Sequence, residues 1–149
     1  MAEHPLAGPV VLLLVWSLFM WMWMYAVRFP AMKKAGIDPK NKVGGTGKDL
    51  DAVLPPEVQW KAHNYNHLME QPTIFYPAVV IIALMGSNAL DPLVAWIYVG
   101  LRIIHSIWQA TVNVVRIRFL LFLLSTFAMV YLAYRAVALT VFADPGVLA

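Results

Sequence analysis

The chain has 149 residues, of which 61% are hydrophobic and 13% charged, with no cysteine, and its mean hydropathy is +0.68. A soluble domain carries about 45–50% apolar and about 25% charged residues, so this composition excludes an ordinary water-soluble globule and equally a disordered chain. The lack of cysteine excludes a disulfide scaffold and any cysteine-based nucleophile or metal ligand.

The formal net charge of +3 and pI near 9.3 would suit a nucleic-acid partner only if the basic residues formed a face. They are clustered in sequence instead. Seven of the eleven Lys and Arg (Arg28, Lys33, Lys34, Lys40, Lys42, Lys48 and Lys61) fall between residues 28 and 61, and Arg116 and Arg118 form a second group. Most of what lies between is apolar, so the charge reads as an orientation signal and nucleic acid drops out as a partner.

From Gly8 to Val27 twenty residues carry no charge, and at 1.5 Å per residue they span about 30 Å, the thickness of a bilayer core. This predicts a first membrane helix over about 8–29. Its start, Met1-Ala2-Glu3-His4, is not basic and its end, Trp21 to Tyr25, is bulky, so it reads as retained rather than as a cleaved signal peptide. The aromatic cluster followed by Arg28 fits an interfacial belt with a basic flank.

Residues 30–56 are rich in Pro, Gly and Lys and read as a solvated loop. Within it Gly44-Gly45-Thr46-Gly47-Lys48 only superficially matches a phosphate loop. Lys42 stands where the first glycine is required, Asp49 where the magnesium-binding hydroxyl is required, and no strand precedes it.

A second helix is expected over about 57–86, interrupted only by Pro72 and Pro77, which a membrane helix tolerates. A third is expected over about 92–115 and a fourth over about 116–142, the third following the short turn Ser87–Pro92. By the positive-inside rule the long loop and the link with Arg116 and Arg118 face the cytoplasm, and both termini, with Glu3 and Asp144, face outward. The fold class is thus an all-α integral membrane four-helix bundle forming one domain over residues 1–149.

Charged groups at membrane depth cost at least about 2.5–3.5 kcal/mol and mark a site or a partner. Arg102 is ten residues past Pro92, about 15 Å along its helix and near the membrane centre. Tyr98, Arg102, His105, Gln109 and Asn113 recur at helical spacing and draw one polar stripe. His63, Asn66, His67 and Glu70 draw another on the second helix, with Glu70 expected level with His105 to Gln109. The stripes read either as pairs that set helix register or as a polar cavity open to the cytoplasm, its mouth ringed by Lys61, Arg116, Arg118 and Arg28 and attractive to an anion. Arg135, near Tyr131 and Tyr134, reads as an interfacial anchor.

Lys61-Ala62-His63 followed by Glu70-Gln71-Pro72 and Phe75 resembles the second-helix signature of the MAPEG family, the membrane-associated proteins in eicosanoid and glutathione metabolism. Arg102-Ile103-Ile104-His105 resembles that family's third-helix Arg-x-x-His segment, and Arg118 stands sixteen residues beyond Arg102, where microsomal glutathione transferases place an arginine. The resemblance spans about residues 8 to 140 and is to a bacterial-type member, placing the protein in a bacterial inner membrane. It implies a homotrimer that binds glutathione as co-substrate at subunit interfaces near the cytoplasmic side, with a lipophilic substrate arriving from the surrounding lipid.

Carried over residue by residue, the resemblance implies that Arg118, with Arg116 as second candidate, stabilises the glutathione thiolate, since a nearby cation favours ionisation of a thiol of pKa about 8.5. Arg28, Lys61, Asn64, Asn66, His67, Glu70, Arg102, His105 and Gln109 become the glutathione-binding set, Glu70 suiting the amino group of a γ-glutamyl moiety. Lys61 replaces the family arginine and lacks its planar fork; His67 stands for the family asparagine, and Ile103 and Ile104 for a tyrosine found in several members. The implied function is a glutathione-dependent transferase or peroxidase acting on lipophilic substrates. Two alternatives stand beside it. One is a MAPEG-type membrane protein that has lost glutathione chemistry and binds lipid or a partner; the other is a metal site built from His63, His67, Glu70 and His105.

Overall fold

A computed structural model describes residues 4–38 and 43–142; Glu3, Lys40, Lys42 and Asp144, used above for orientation, lie outside them. Among the described residues there are five α-helices and one short 3-10 turn, and no strand. The helices are α1 (Ala7–Lys34), α2 (Pro56–Leu68), α3 (Pro72–Met85), α4 (Leu90–Thr111) and α5 (Val115–Thr140). Counting α2 and α3 as one interrupted span, the four segments are each long and apolar enough to cross a bilayer.

Helix α1 does not stop at Phe29 but runs through Pro30 to Lys34. Proline near a helix end forfeits a single backbone bond, and the lysines that follow sit favourably against the negative end of the helix dipole. The true stop is Gly36, whose φ of 69° supports a Schellman closure: Ile37 N–H donates to the Met32 carbonyl and Gly36 N–H to that of Lys33.

The expected second helix is two helices. Proline at 72 has no N–H to offer the Leu68 carbonyl and its ring crowds it, so α2 ends at Leu68 and α3 restarts with Pro72 in its first turn. Pro77, by contrast, is carried inside α3 without a break.

The α3–α4 turn is held by reciprocal capping. The Asn88 side chain accepts from the N–H groups of Leu90 and Asp91, while Asp91 Oδ2 accepts from Asn88 N–H. This starts α4 at Leu90, and it ends at Thr111 rather than Val115 because Asn113 turns the chain with a φ of 57°.

Helix α4 packs against α1, α2 and α5, and α3 packs against α5. The core is built from Leu13 and Met20 of α1, Phe75, Val79 and Ile82 of α3, Tyr98 and Val99 of α4, and Leu132 of α5. Phe75 and Tyr98 stack with ring centroids 4.6 Å apart. Leu14, Leu18, Phe119, Phe127 and Val130 are exposed on the outside, as a surface solvated by lipid requires.

Arg135, expected as an interfacial anchor, is ion-paired at the end of the bundle. Its Nε and Nη2 donate to the two oxygens of Asp91 at 3.0 and 3.1 Å, and Tyr131 donates to Oδ1 at 3.1 Å. A fully buried carboxylate demands such partners, and this one ties the start of α4 to the far end of α5. Arg135→Met therefore lowers the thermal unfolding midpoint of the detergent-solubilised protein by several degrees, and adding Asp91→Leu recovers part of the loss because the stranded carboxylate is gone.

Candidate functional site

Antiparallel pairing of α2 with α4 sets the polar interior. Asn64 meets Ser106, His67 meets Arg102 and Gln71 meets Tyr98. Glu70, between His67 and Gln71, is therefore level with the Tyr98–Arg102 turn of α4 and not with His105 to Gln109. The counting that placed it lower assumed an unbroken helix.

Arg102 is fully buried. Its Nη2 donates to the backbone carbonyl of His67 at 3.0 Å and to His67 Nδ1 at 2.9 Å, so Nδ1 carries a lone pair there rather than a proton. The acceptor carbonyl belongs to the last turn of α2, where a helix has no N–H of its own to offer. The guanidinium carbon lies 5.9 Å from the Phe122 ring centroid of α5, and the His67 ring lies 4.9 Å from that of His105 and 5.3 Å from Phe122. No carboxylate pairs with Arg102 among the described residues.

One turn nearer the loop, Ser106 Oγ accepts from Trp16 Nε1 of α1 at 2.8 Å and from Asn64 Nδ2 at 2.7 Å, joining three helices at one hydroxyl. On the other side of Arg102, Gln71 donates to Thr126 of α5 at 2.9 Å and accepts from Tyr98 at 3.4 Å. Arg102 Nε and Nη1, His105 Nε2, Gln109 Oε1 and Asn64 Oδ1 are buried with no hydrogen-bond partner among the described residues.

The expected stripe on the second helix divides. Asn64, Leu68 and Pro72 are buried, whereas His63, Asn66 and Glu70 are exposed. His63 turns to the loop and meets Asp51 at 3.1 Å. Glu70 makes no ion pair among the described residues, although it lies within electrostatic reach of His67 and Arg102. The metal set consequently does not assemble: His63 is taken by Asp51, His67 Nδ1 by Arg102, and no three metal-ligating side chains converge among the described residues.

A cavity of about 490 Å³ opens at the loop end between α1, the loop and α2. Arg28, Thr46, Lys48, Asp51, His63 and Asn66 supply its polar walls, the Asp51 carboxylate being held by His63, and Tyr25 and Tyr65 its aromatic ones. Arg28 is anchored there by donating to the Gly47 carbonyl and to Gln59 Oε1, both at 2.9 Å. A Cβ at Gly47 would stand 3.1 Å from Arg28 Nη1, close enough that the guanidinium would have to shift by a few tenths of an ångström. Beside it Lys61 donates to the Glu57 carbonyl and lies 5.5 Å from the Trp23 ring. Tyr65 also walls an apolar groove of about 270 Å³ formed with Leu14, Leu18, Trp21, Met69 and Tyr76. A third cavity of about 440 Å³, at the opposite end between α1 and α3, is apolar and remote from these groups.

Arg118 does not line the loop-end cavity. It is half-buried one turn into α5, held by Asn113 Oδ1 at 2.7 Å, and lies within electrostatic reach of His67 and His105. Arg116 is exposed. Of the expected set, Arg28 and Asn66 thus share the loop-end cavity, Arg102, His67 and His105 form the buried cluster, and Glu70 and Arg118 flank it. Sequence reasoning did not find Gln59, Asp51, Trp16 or Gln71 as partners of these residues. Only Gln71 carried a signal, a polar residue at membrane depth beside a proline.

The fold and this polar interior define a multi-pass membrane helix bundle with ionisable groups inside it. Residues 6–138 match the family model of the MAPEG family, and the chain belongs to that family. No curated protein and no solved structure matches it.

Ser106→Ala leaves Trp16 Nε1 and Asn64 Nδ2 without an acceptor, at about 1–3 kcal/mol for each stranded group. The variant should unfold at a clearly lower temperature in detergent, with a shift in Trp16 fluorescence that Thr at the same position does not produce.

Proposed function

We propose that the protein binds glutathione and uses it as a membrane-embedded transferase or peroxidase on lipophilic substrates. The observation that carries this reading is the loop-end cavity. It is walled by Arg28, Lys48, His63 and Asn66, its volume suits a tripeptide-sized anion, and it adjoins an apolar groove through Tyr65. MAPEG membership supports it independently. Arg28, Lys61, Asn66 and Glu70 are the accessible members of the binding set, with His67 half-buried against Arg102; Arg28 and Lys61 attract the carboxylates and Glu70 the amino group. Asn64, Arg102, His105 and Gln109, all buried, stand behind them as the polar backing.

Arg118 is the group assigned to the thiolate, with Arg116 as second candidate. A cation beside the thiol lowers its pKa and raises the reactive fraction at neutral pH. Because Arg118 lies outside the loop-end cavity and Glu70 is exposed at membrane depth, the reading includes a second copy of the chain covering that face, in a homotrimer. The loop and the α4–α5 turn are placed on the cytoplasmic side, both termini opposite, in a bacterial inner membrane.

Isothermal titration of the detergent-purified oligomer with glutathione tests the reading. Binding is expected, with the ultraviolet absorbance of a thiolate visible at neutral pH. Arg118→Ala removes that absorbance with little change in affinity, whereas Glu70→Gln weakens affinity by about tenfold, the cost of one charge-assisted hydrogen bond. Absence of heat at millimolar glutathione overturns the proposal.

A further inference from the structure

The turn between α4 and α5 contains the one non-glycine residue with positive φ among the described residues, Asn113. Glycine meets a left-handed backbone at lower cost, and asparagine is tolerated there because its short amide bonds locally. Here the amide is used. Asn113 Oδ1 accepts from Arg118 Nη1 at 2.7 Å, and no carboxylate pairs with Arg118 among the described residues.

The acceptor is itself held still. Asn113 N–H donates to the Trp108 carbonyl at 2.8 Å, and the Trp108 indole donates to the Val114 carbonyl at 3.2 Å, so the turn is pinned from both sides of Asn113. A long arginine side chain loses rotamer entropy when fixed in one geometry, and a rigid acceptor in the turn makes that geometry the resting one. The acceptor is also neutral. An aspartate would hold the guanidinium equally well but offset the charge that a neighbouring anion needs.

We infer that Asn113 is a positioning residue: it fixes the Arg118 guanidinium beside the α4–α5 turn while leaving its positive charge unopposed by a carboxylate. This rests on the assignment of Arg118 to the glutathione thiolate, and two variants separate orientation from charge. Asn113→Gly keeps the left-handed turn and removes the brace; Asn113→Asp keeps the brace and offsets the charge.

In the purified full-length oligomer, phenylglyoxal labelling of Arg118 followed by peptide mass mapping reads the brace without any ligand. Labelling is expected to be severalfold faster in Asn113→Gly and unchanged in Asn113→Asp. The pH titration of bound-glutathione absorbance reads the consequence, and its midpoint should rise by about one unit in both variants. Wild-type labelling together with a wild-type midpoint in Asn113→Gly overturns the inference. If the wild-type protein shows no thiolate at any pH, the glutathione reading has failed, and the labelling result alone decides whether Asn113 holds Arg118.

Discussion

A buried arginine with no carboxylate partner needs acceptors delivered to it, and the bundle delivers one by breaking a helix. Pro72 ends α2 at Leu68, which leaves the carbonyls of its last turn without N–H partners, and Arg102 takes the one at His67. Each solves the other's problem. The arginine would be costly in lipid without the carbonyl, and the carbonyl would be unsatisfied without the arginine. The break also brings Gln71 between Tyr98 and Thr126, so α4 and α5 are both keyed to the same three-residue interruption.

That arrangement explains what was legible beforehand and what was not. Four spans, the loop between the first two and the importance of Arg102 follow from the hydropathy pattern and the rarity of charge, because bilayer thickness and desolvation act on residue type alone. The position of Glu70 does not follow. A proline that kinks a helix and one that breaks it look alike in sequence; Pro77 lies within α3 and Pro72 opens it, and the difference depends on what the neighbouring helix can offer the freed carbonyls. The partner of Arg135 does not follow either, for a related reason. The distance of Arg135 from the end of a hydrophobic run fits an interfacial anchor, whereas its partner Asp91 lies forty-four residues away in the chain and no local pattern links the two.

The site divides along the same line. Arg28 and Arg118 were nameable from type and spacing, but the groups that orient them, Gln59 and Gly47 for the one and Asn113 for the other, are neutral. Gln59 and Gly47 leave no trace in charge, and Asn113 shows in the sequence only as the end of a polar stripe, so their orienting role becomes visible only once the turns that carry them are in place.

The anchor between Arg28 and the loop has a consequence for how this protein can vary. The guanidinium grips a backbone carbonyl at Gly47, a group that every residue possesses, so this contact makes no demand on the loop's side chains, of which Asp51 adds a separate tie to His63. The loop's composition is free to drift, and with it the selectivity of the cavity's outer wall, while the wall stays where it is. Gly47 itself leaves the guanidinium its room, and a side chain there would ask only the flexible tip of Arg28 to move.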